Sequence, residues 1–179
     1  YYSTCRVTYL NLGMDFLSET NLNGLAEGMR FIINNNGPYL IHCNEGKDRA
    51  GFVSALLECL MGATLDEVID DYMVTYYNYY GVEDGSEKYD AIVKNNLIQA
   101  LNTTYKVDDV YKADLAAEAA AFLMEDAGLT ADEVSALKGK LTITLQQIYD
   151  ACQTEALLKN HESVYVRSEM DGEFWLETY

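Results

Sequence analysis

Residues 42–51 read His42-Cys43-Asn44-Glu45-Gly46-Lys47-Asp48-Arg49-Ala50-Gly51, a cysteine six positions before an arginine with a glycine between them. A short apolar run, Tyr39-Leu40-Ile41, precedes the thiol, and apolar residues at helical spacing follow the arginine. This order predicts a strand, a tight loop and a helix N-terminus. Backbone N–H groups of such a loop, contributed by Asn44, Glu45, Gly46, Lys47, Asp48 and Ala50, point into one hollow, where the helix dipole adds positive potential. An oxyanion binds in such a place, and the same field favours a thiolate. Cys43 is therefore the candidate nucleophile. Arg49 can clamp a phosphate through two parallel N–H bonds. A cation is disfavoured at a helix N-terminus, so an arginine here calls for a bound anion. His42 falls on the opposite side of the strand and is expected to support the loop backbone from behind. The alternatives are a buried structural cysteine, a surface ion pair for Arg49 and a satisfied core histidine.

The elements that must hold this loop can be read as patterns. Cys5 to Leu12 alternates and reads as a strand, and Gly13 to Ser18 breaks it as a loop. Leu22, Leu25, Ala26, Met29, Ile32 and Ile33 predict a helix from about Asn21 to Asn35, stopped by Gly37-Pro38. Tyr39 to His42 reads as a buried strand. Arg49 to Leu60 is the helix behind the loop, ended by Gly62. Thr64-x-x-Glu67 is a capping box opening a helix to about Tyr79, and Ser86 caps another to about Thr103. Further helices are expected over Val110 to Asp126, from Thr130-x-x-Glu133 to about Lys138, and over Leu145 to Lys159. Two β-like runs, Ser163 to Arg167 and Glu173 to Leu176, flank Asp171-Gly172 and predict a hairpin. Tyr72, Tyr76, Tyr79 and Tyr80 share a helical face, with core packing favoured over a substrate wall. Asp66, Glu67, Asp70 and Asp71 read as a solvated face; nothing completes a metal site with them, and no metal or cofactor is expected.

Composition narrows the function. The 179 residues suit one domain or one domain with a small appendage, and 49% apolar content supplies a core. A net charge of −17 argues against nucleic acid and anionic membranes as partners. It also repels phosphorylated molecules at long range, so phosphate affinity must come from the local loop. No apolar run approaches the ~18 residues of a membrane span, so stable membrane insertion is not expected. The four cysteines, Cys5, Cys43, Cys59 and Cys152, have neither metal-site spacing nor the density of a disulfide framework. The compartment stays open between cytoplasm and a secreted or cell-envelope location.

His42-Cys43-x5-Arg49 resembles the signature of the cysteine-dependent protein tyrosine phosphatase superfamily. The inner Gly46-Lys47-Asp48-Arg49 is similar to a bacterial branch of tyrosine and phosphoinositide phosphatases, and Tyr39 to Tyr80 looks like secreted or envelope-associated members from gut Firmicutes. The resemblance, which covers about Asn11 to Tyr80, implies an α/β fold, a small central, mostly parallel sheet surrounded by helices; the residue patterns add a helical C-terminal half and a terminal hairpin. Residues 1–105 would form the catalytic core, with further strands expected upstream of Tyr1; residues 106–179 would form a helical extension packed on it. The implied reaction is phosphomonoester hydrolysis through a cysteinyl-phosphate without metal. The substrate would be a phosphotyrosine protein or peptide, with a phosphoinositide or inositol phosphate as the alternative. The superfamily's general acid is an aspartate on a movable loop some thirty residues before the cysteine. Asp15, 28 residues before Cys43, is the only aspartate preceding it. Gly13-Met14 replaces the usual Trp-Pro before that acid. In related lipid phosphatases an aspartate at the position of Asp48 does acid or substrate-orienting work; here the alternative is a solvated loop tip, for Lys47 as well. Ala50 stands where the family has Ser or Thr, whose hydroxyl assists the departing thiolate. That departure implies slow breakdown of the intermediate, and with it a second possibility, a phosphate-binding pseudophosphatase. A rhodanese-like sulfur transferase is a third, disfavoured by the loop spacing.

Overall fold

The computed structural model of the chain describes residues 10, 12–37, 39–142, 164–169 and 173–178. Two compact units are present, Tyr1–Lys138 and Gly139–Tyr179. In the first, every described element is helical: α1 (Glu19–Asn34), α2 (Arg49–Met61), α3 (Leu65–Tyr80), α4 (Glu87–Ile92), α5 (Gln99–Tyr105), α6 (Leu115–Ala121) and α7 (Ala131–Leu141), the last crossing the boundary. The second unit contains an antiparallel hairpin, β1 (Val164–Glu169) and β2 (Glu173–Thr178), with Val166 opposite Leu176.

The expected α/β class is corrected by this. No central parallel sheet exists among the described residues, and the described part of the first unit is all-helical. Tyr39 to His42 carries no strand. A strand is stable only when neighbours complete its ladder, and no described segment pairs with this one; Leu40 is 64% and Ile41 38% exposed. The strand expected over Cys5 to Leu12 and the helix over Leu145 to Lys159 lie largely or wholly outside the described residues.

Caps set most helix boundaries. Ser18 accepts a hydrogen bond from the Asn21 N–H and starts α1; Thr64 and Glu67 form a reciprocal capping box at α3; Ser86 caps α4. Two expected helices are more broken than periodicity suggests. The one beginning at Ser86 passes through a π-helical turn, Val93–Ile98, before becoming α5. The one expected over Val110 to Asp126 is a 3₁₀ turn, Val110–Lys112, then α6 capped by Asp114, then a second π-helical turn, Phe122–Asp126.

The core is centred on α2, which packs against α3 and α6. Leu56, Cys59 and Leu60 have no exposed surface. Each fully buried leucine contributes about 1.5–3 kcal/mol, so α2 is firmly held and its N-terminus is a rigid mount for whatever precedes it. On α1, Gly24 admits a close neighbour: a Cβ there would lie 2.7 Å from Leu12 Cδ2 and 3.0 Å from the Leu10 carbonyl. The segment leading to Gly13 is thereby pressed against α1.

Candidate active site

The loop from Cys43 to Asp48 leads directly into α2. Gly46 has φ +82°, a left-handed conformation that side chains with a Cβ rarely adopt. It turns the chain sharply between Cys43 and the start of α2. The Cys43 sulfur is half-buried. That burial pushes its pKa up, but hydrogen bonds from the backbone N–H groups of Ala50, Glu45, Gly46 and Arg49 outweigh it and hold the thiol below its ordinary value. Donors from both the loop and the first turn of α2 therefore converge on one sulfur, an arrangement that stabilises a thiolate.

Arg49 Nη1 donates to the Leu12 carbonyl at 3.1 Å. This bond ties the guanidinium to the segment carrying Gly13 and Asp15. Asp15 is exposed, and its Oδ1 accepts from the Leu17 N–H at 3.3 Å. Its carbonyl accepts from the Ser18 hydroxyl at 3.0 Å and from Asn21 Nδ2. Asn21 Oδ1 in turn accepts from the Gly13 N–H at 2.8 Å. Asn21 is only 5% exposed, so a buried amide on α1 clamps both ends of the Gly13–Asp15 turn.

The loop apex is an ion-pair network. Lys47 Nζ donates to Asp48 Oδ2 at 2.6 Å and lies 3.3 Å from Glu45 Oε2. The bond to Asp48 holds the Lys47 ammonium well above its usual range. Tyr80 Oη donates to Glu45 Oε2 at 2.7 Å, and this bond, with Lys47, keeps Glu45 below the usual carboxylate range. Tyr72, Tyr76 and Tyr80 form a ladder along α3, ring centroids 5.7 and 5.8 Å apart. Tyr72 and Tyr76 are buried, while Tyr80 reaches the loop and Tyr79 is 82% exposed on another side.

A cavity of about 420 Å³ is lined by both Asp15 and Asp48. Phe16 stacks on Phe52 at its wall, with ring centroids 3.9 Å apart. Cys43 and the backbones of Glu45, Gly46, Arg49 and Ala50 are thus gathered at the sulfur, Lys47 and Asp48 at the apex, and Asp15 with Asp48 on the lining of the cavity. His42 is exposed, with Nδ1 3.3 Å from the Cys43 carbonyl; Asn44 is exposed at the loop surface. His161, Cys5 and Cys152 lie outside the described residues. Among the described residues no group of three or more His, Cys, Asp or Glu is placed to hold a metal ion, and no helix is long and apolar enough to cross a membrane.

Sequence reasoning missed Asn21, the Tyr80–Glu45 contact and the π-helical turn. Asn21 carried one signal, a polar residue beginning the apolar face of α1. The other two depend on where α3 and the segment after it pack.

A half-buried thiol with backbone donors beside it stands at a helix N-terminus, an arrangement suited to an anion. A model described as the tyrosine phosphatase family matches residues 6–143, most of the chain, and the chain belongs to that family. It is a phosphatase, a hydrolase whose substrates are phosphorylated. No curated protein and no solved structure matches it.

Proposed function

We propose that this phosphatase hydrolyses phosphomonoesters through a cysteinyl-phosphate on Cys43, with phosphotyrosine as the substrate. The observation that carries the reading is the half-buried Cys43 just before the N-terminus of α2, with the left-handed Gly46 between them and the backbone N–H groups of Glu45, Gly46, Arg49 and Ala50 beside its sulfur. The thiolate attacks phosphorus and the bond to the leaving oxygen breaks. Asp15 gives that oxygen its proton. Water then attacks the phosphocysteine, returns a proton to Asp15, and the S–P bond breaks to release inorganic phosphate and the thiolate. The loop amides and Arg49 stabilise the charge on the transferring group. Asp15 is favoured over Asp48 as the acid because Lys47 engages the Asp48 carboxylate, whereas Asp15 has no ion-pair partner among the described residues. General acid catalysis is worth about 10²–10⁴ in rate. Asp15→Asn should therefore lose roughly that factor and the basic limb of the pH–rate profile on p-nitrophenyl phosphate, and Asp48→Asn should keep the limb. Cys43→Ser should abolish turnover and still bind tungstate. Wild-type activity in Cys43→Ser overturns the mechanism; loss of the limb in Asp48→Asn alone moves the acid to Asp48.

One observation favours a second reading. Ala50 presents a methyl group where a hydroxyl would assist the leaving thiolate, and its side chain is buried. A pseudophosphatase that binds phosphate or stalls as phosphocysteine would give one equivalent of product and then near-zero turnover.

A further inference from the structure

The cavity shared by Asp15 and Asp48 has a second wall that the reaction scheme does not use. That wall comes from the π-helical turn and α5: Asn95, Asn96, Gln99 and Thr103 all line it. π-Helical turns occur frequently at functional sites, and this one buries Val93, Leu97 and Ile98 while leaving Asn95 and Asn96 exposed, with Gln99 exposed at the start of α5. Asn96 Nδ2 donates to Tyr76 Oη at 3.1 Å, which fixes its amide on the tyrosine ladder behind the loop. A general acid must stand about 2.6–3.2 Å from the leaving oxygen. Both candidate acids line this cavity, so the leaving group has to approach it whichever one acts. Among the residues lining it there are two carboxylates, three amides and threonine hydroxyls, and neither lysine nor arginine. The nearby Lys47 is already held by Asp48 and Glu45.

We propose that this cavity is the leaving-group subsite and selects phosphotyrosine peptides whose neighbouring side chains are uncharged or cationic, against polyanionic leaving groups such as polyphosphorylated inositols. The proposal rests on the phosphatase reading above. Its physical basis is that a second phosphate in the cavity would meet carboxylates and no available cation, whereas amide and ammonium groups find acceptors.

The test uses the full chain at about 0.5 M salt, where the long-range field of the −17 charge is screened. Rates are compared on matched phosphotyrosine peptides with lysine or glutamate flanks, and on a polyphosphorylated inositol lipid in micelles. Binding of the same ligands to Cys43→Ser gives the preference without turnover. The expected result is a preference of about twofold or more for the lysine peptide, as one exposed charge pair weakened by salt supplies, with the inositol lipid poorest. Gln99→Lys and Asn95→Lys should each lower the lysine-to-glutamate ratio, a quantity that a general loss of activity leaves unmoved. A ratio near one in the parent, an unchanged ratio in both variants, or preference for the inositol lipid overturns the subsite. Absence of p-nitrophenyl phosphate hydrolysis with the peptide preference intact in Cys43→Ser overturns the catalytic reading alone.

Discussion

Cys43 and Cys59 are the same residue type sixteen positions apart and should behave oppositely. Cys59 is fully buried on α2, and that burial raises its thiol to about 11. Cys43 is held below its ordinary value by backbone donors. Alkylation by iodoacetamide, read as wild type minus Cys43→Ser, should therefore rise with pH to a midpoint below that of a free thiol, since the thiolate is the reactive form. A midpoint at or above the free-thiol value would show that the amides do not act on this sulfur. Ala50 supplies the complementary residue-scale prediction. A hydroxyl there can donate to the departing thiolate, and a hydrogen bond to a charged group is worth about 1.5–3 kcal/mol. Ala50→Ser should raise steady-state turnover by roughly tenfold and shrink any burst in stopped-flow traces. Unchanged turnover would place the slow step elsewhere.

At the scale of elements, the site is an assembly of two loops on two helices. α2 mounts the thiol loop, and α1 mounts the Gly13–Asp15 turn through Asn21; the Arg49 bond to the Leu12 carbonyl joins them. Asn21→Leu removes both clamping bonds and leaves a part-buried N–H without its acceptor, at about 1–3 kcal/mol in stability. Its kinetic effect should depend on the leaving group. Alkyl phosphates, whose more basic departing oxygen depends most on the proton, should slow more than p-nitrophenyl phosphate, whose departing oxygen is far less basic. Equal slowing of both would mean that Asn21 serves folding and not the placement of Asp15.

Over the whole first unit, distant parts of the chain are joined by Arg30 on α1 and Glu133 on α7. Arg30 Nε donates to Glu133 Oε1 at 2.7 Å. That hydrogen bond, aided by the Thr130 N–H at the start of α7, holds the Glu133 carboxyl at about 2 instead of its ordinary 4.5. A carboxylate depressed in the folded state stabilises at pH above its unfolded value and loses that contribution as pH falls through the folded one. Wild type and Glu133→Gln should therefore differ in urea midpoint at pH 7, with the gap closing between about pH 4.5 and 2. Both side chains are partly exposed, so the gap should be modest and shrink in high salt. A gap that persists at pH 2 would point to lost packing and not to the charge.

Much of this was legible because it is local. The tight loop through Gly46 and the helix beginning at Arg49 were readable from a few residues, since a left-handed glycine and a helix N-terminus are short-range properties. The caps at Thr64 and Ser86 were equally readable, being hydrogen bonds across three residues. The sheet was not: a strand at Tyr39 to His42 depends on a partner that its own residues cannot specify, and the α/β expectation failed there. The π-helical turn also escaped, because apolar spacing over one turn does not distinguish four residues from five. Family membership, charge and the thiol loop were determined by the sequence alone. Only the tertiary structure decided that Asn21 holds the Asp15 turn, that Lys47 is occupied, and that two acids share one cavity, since each arises where separate elements meet.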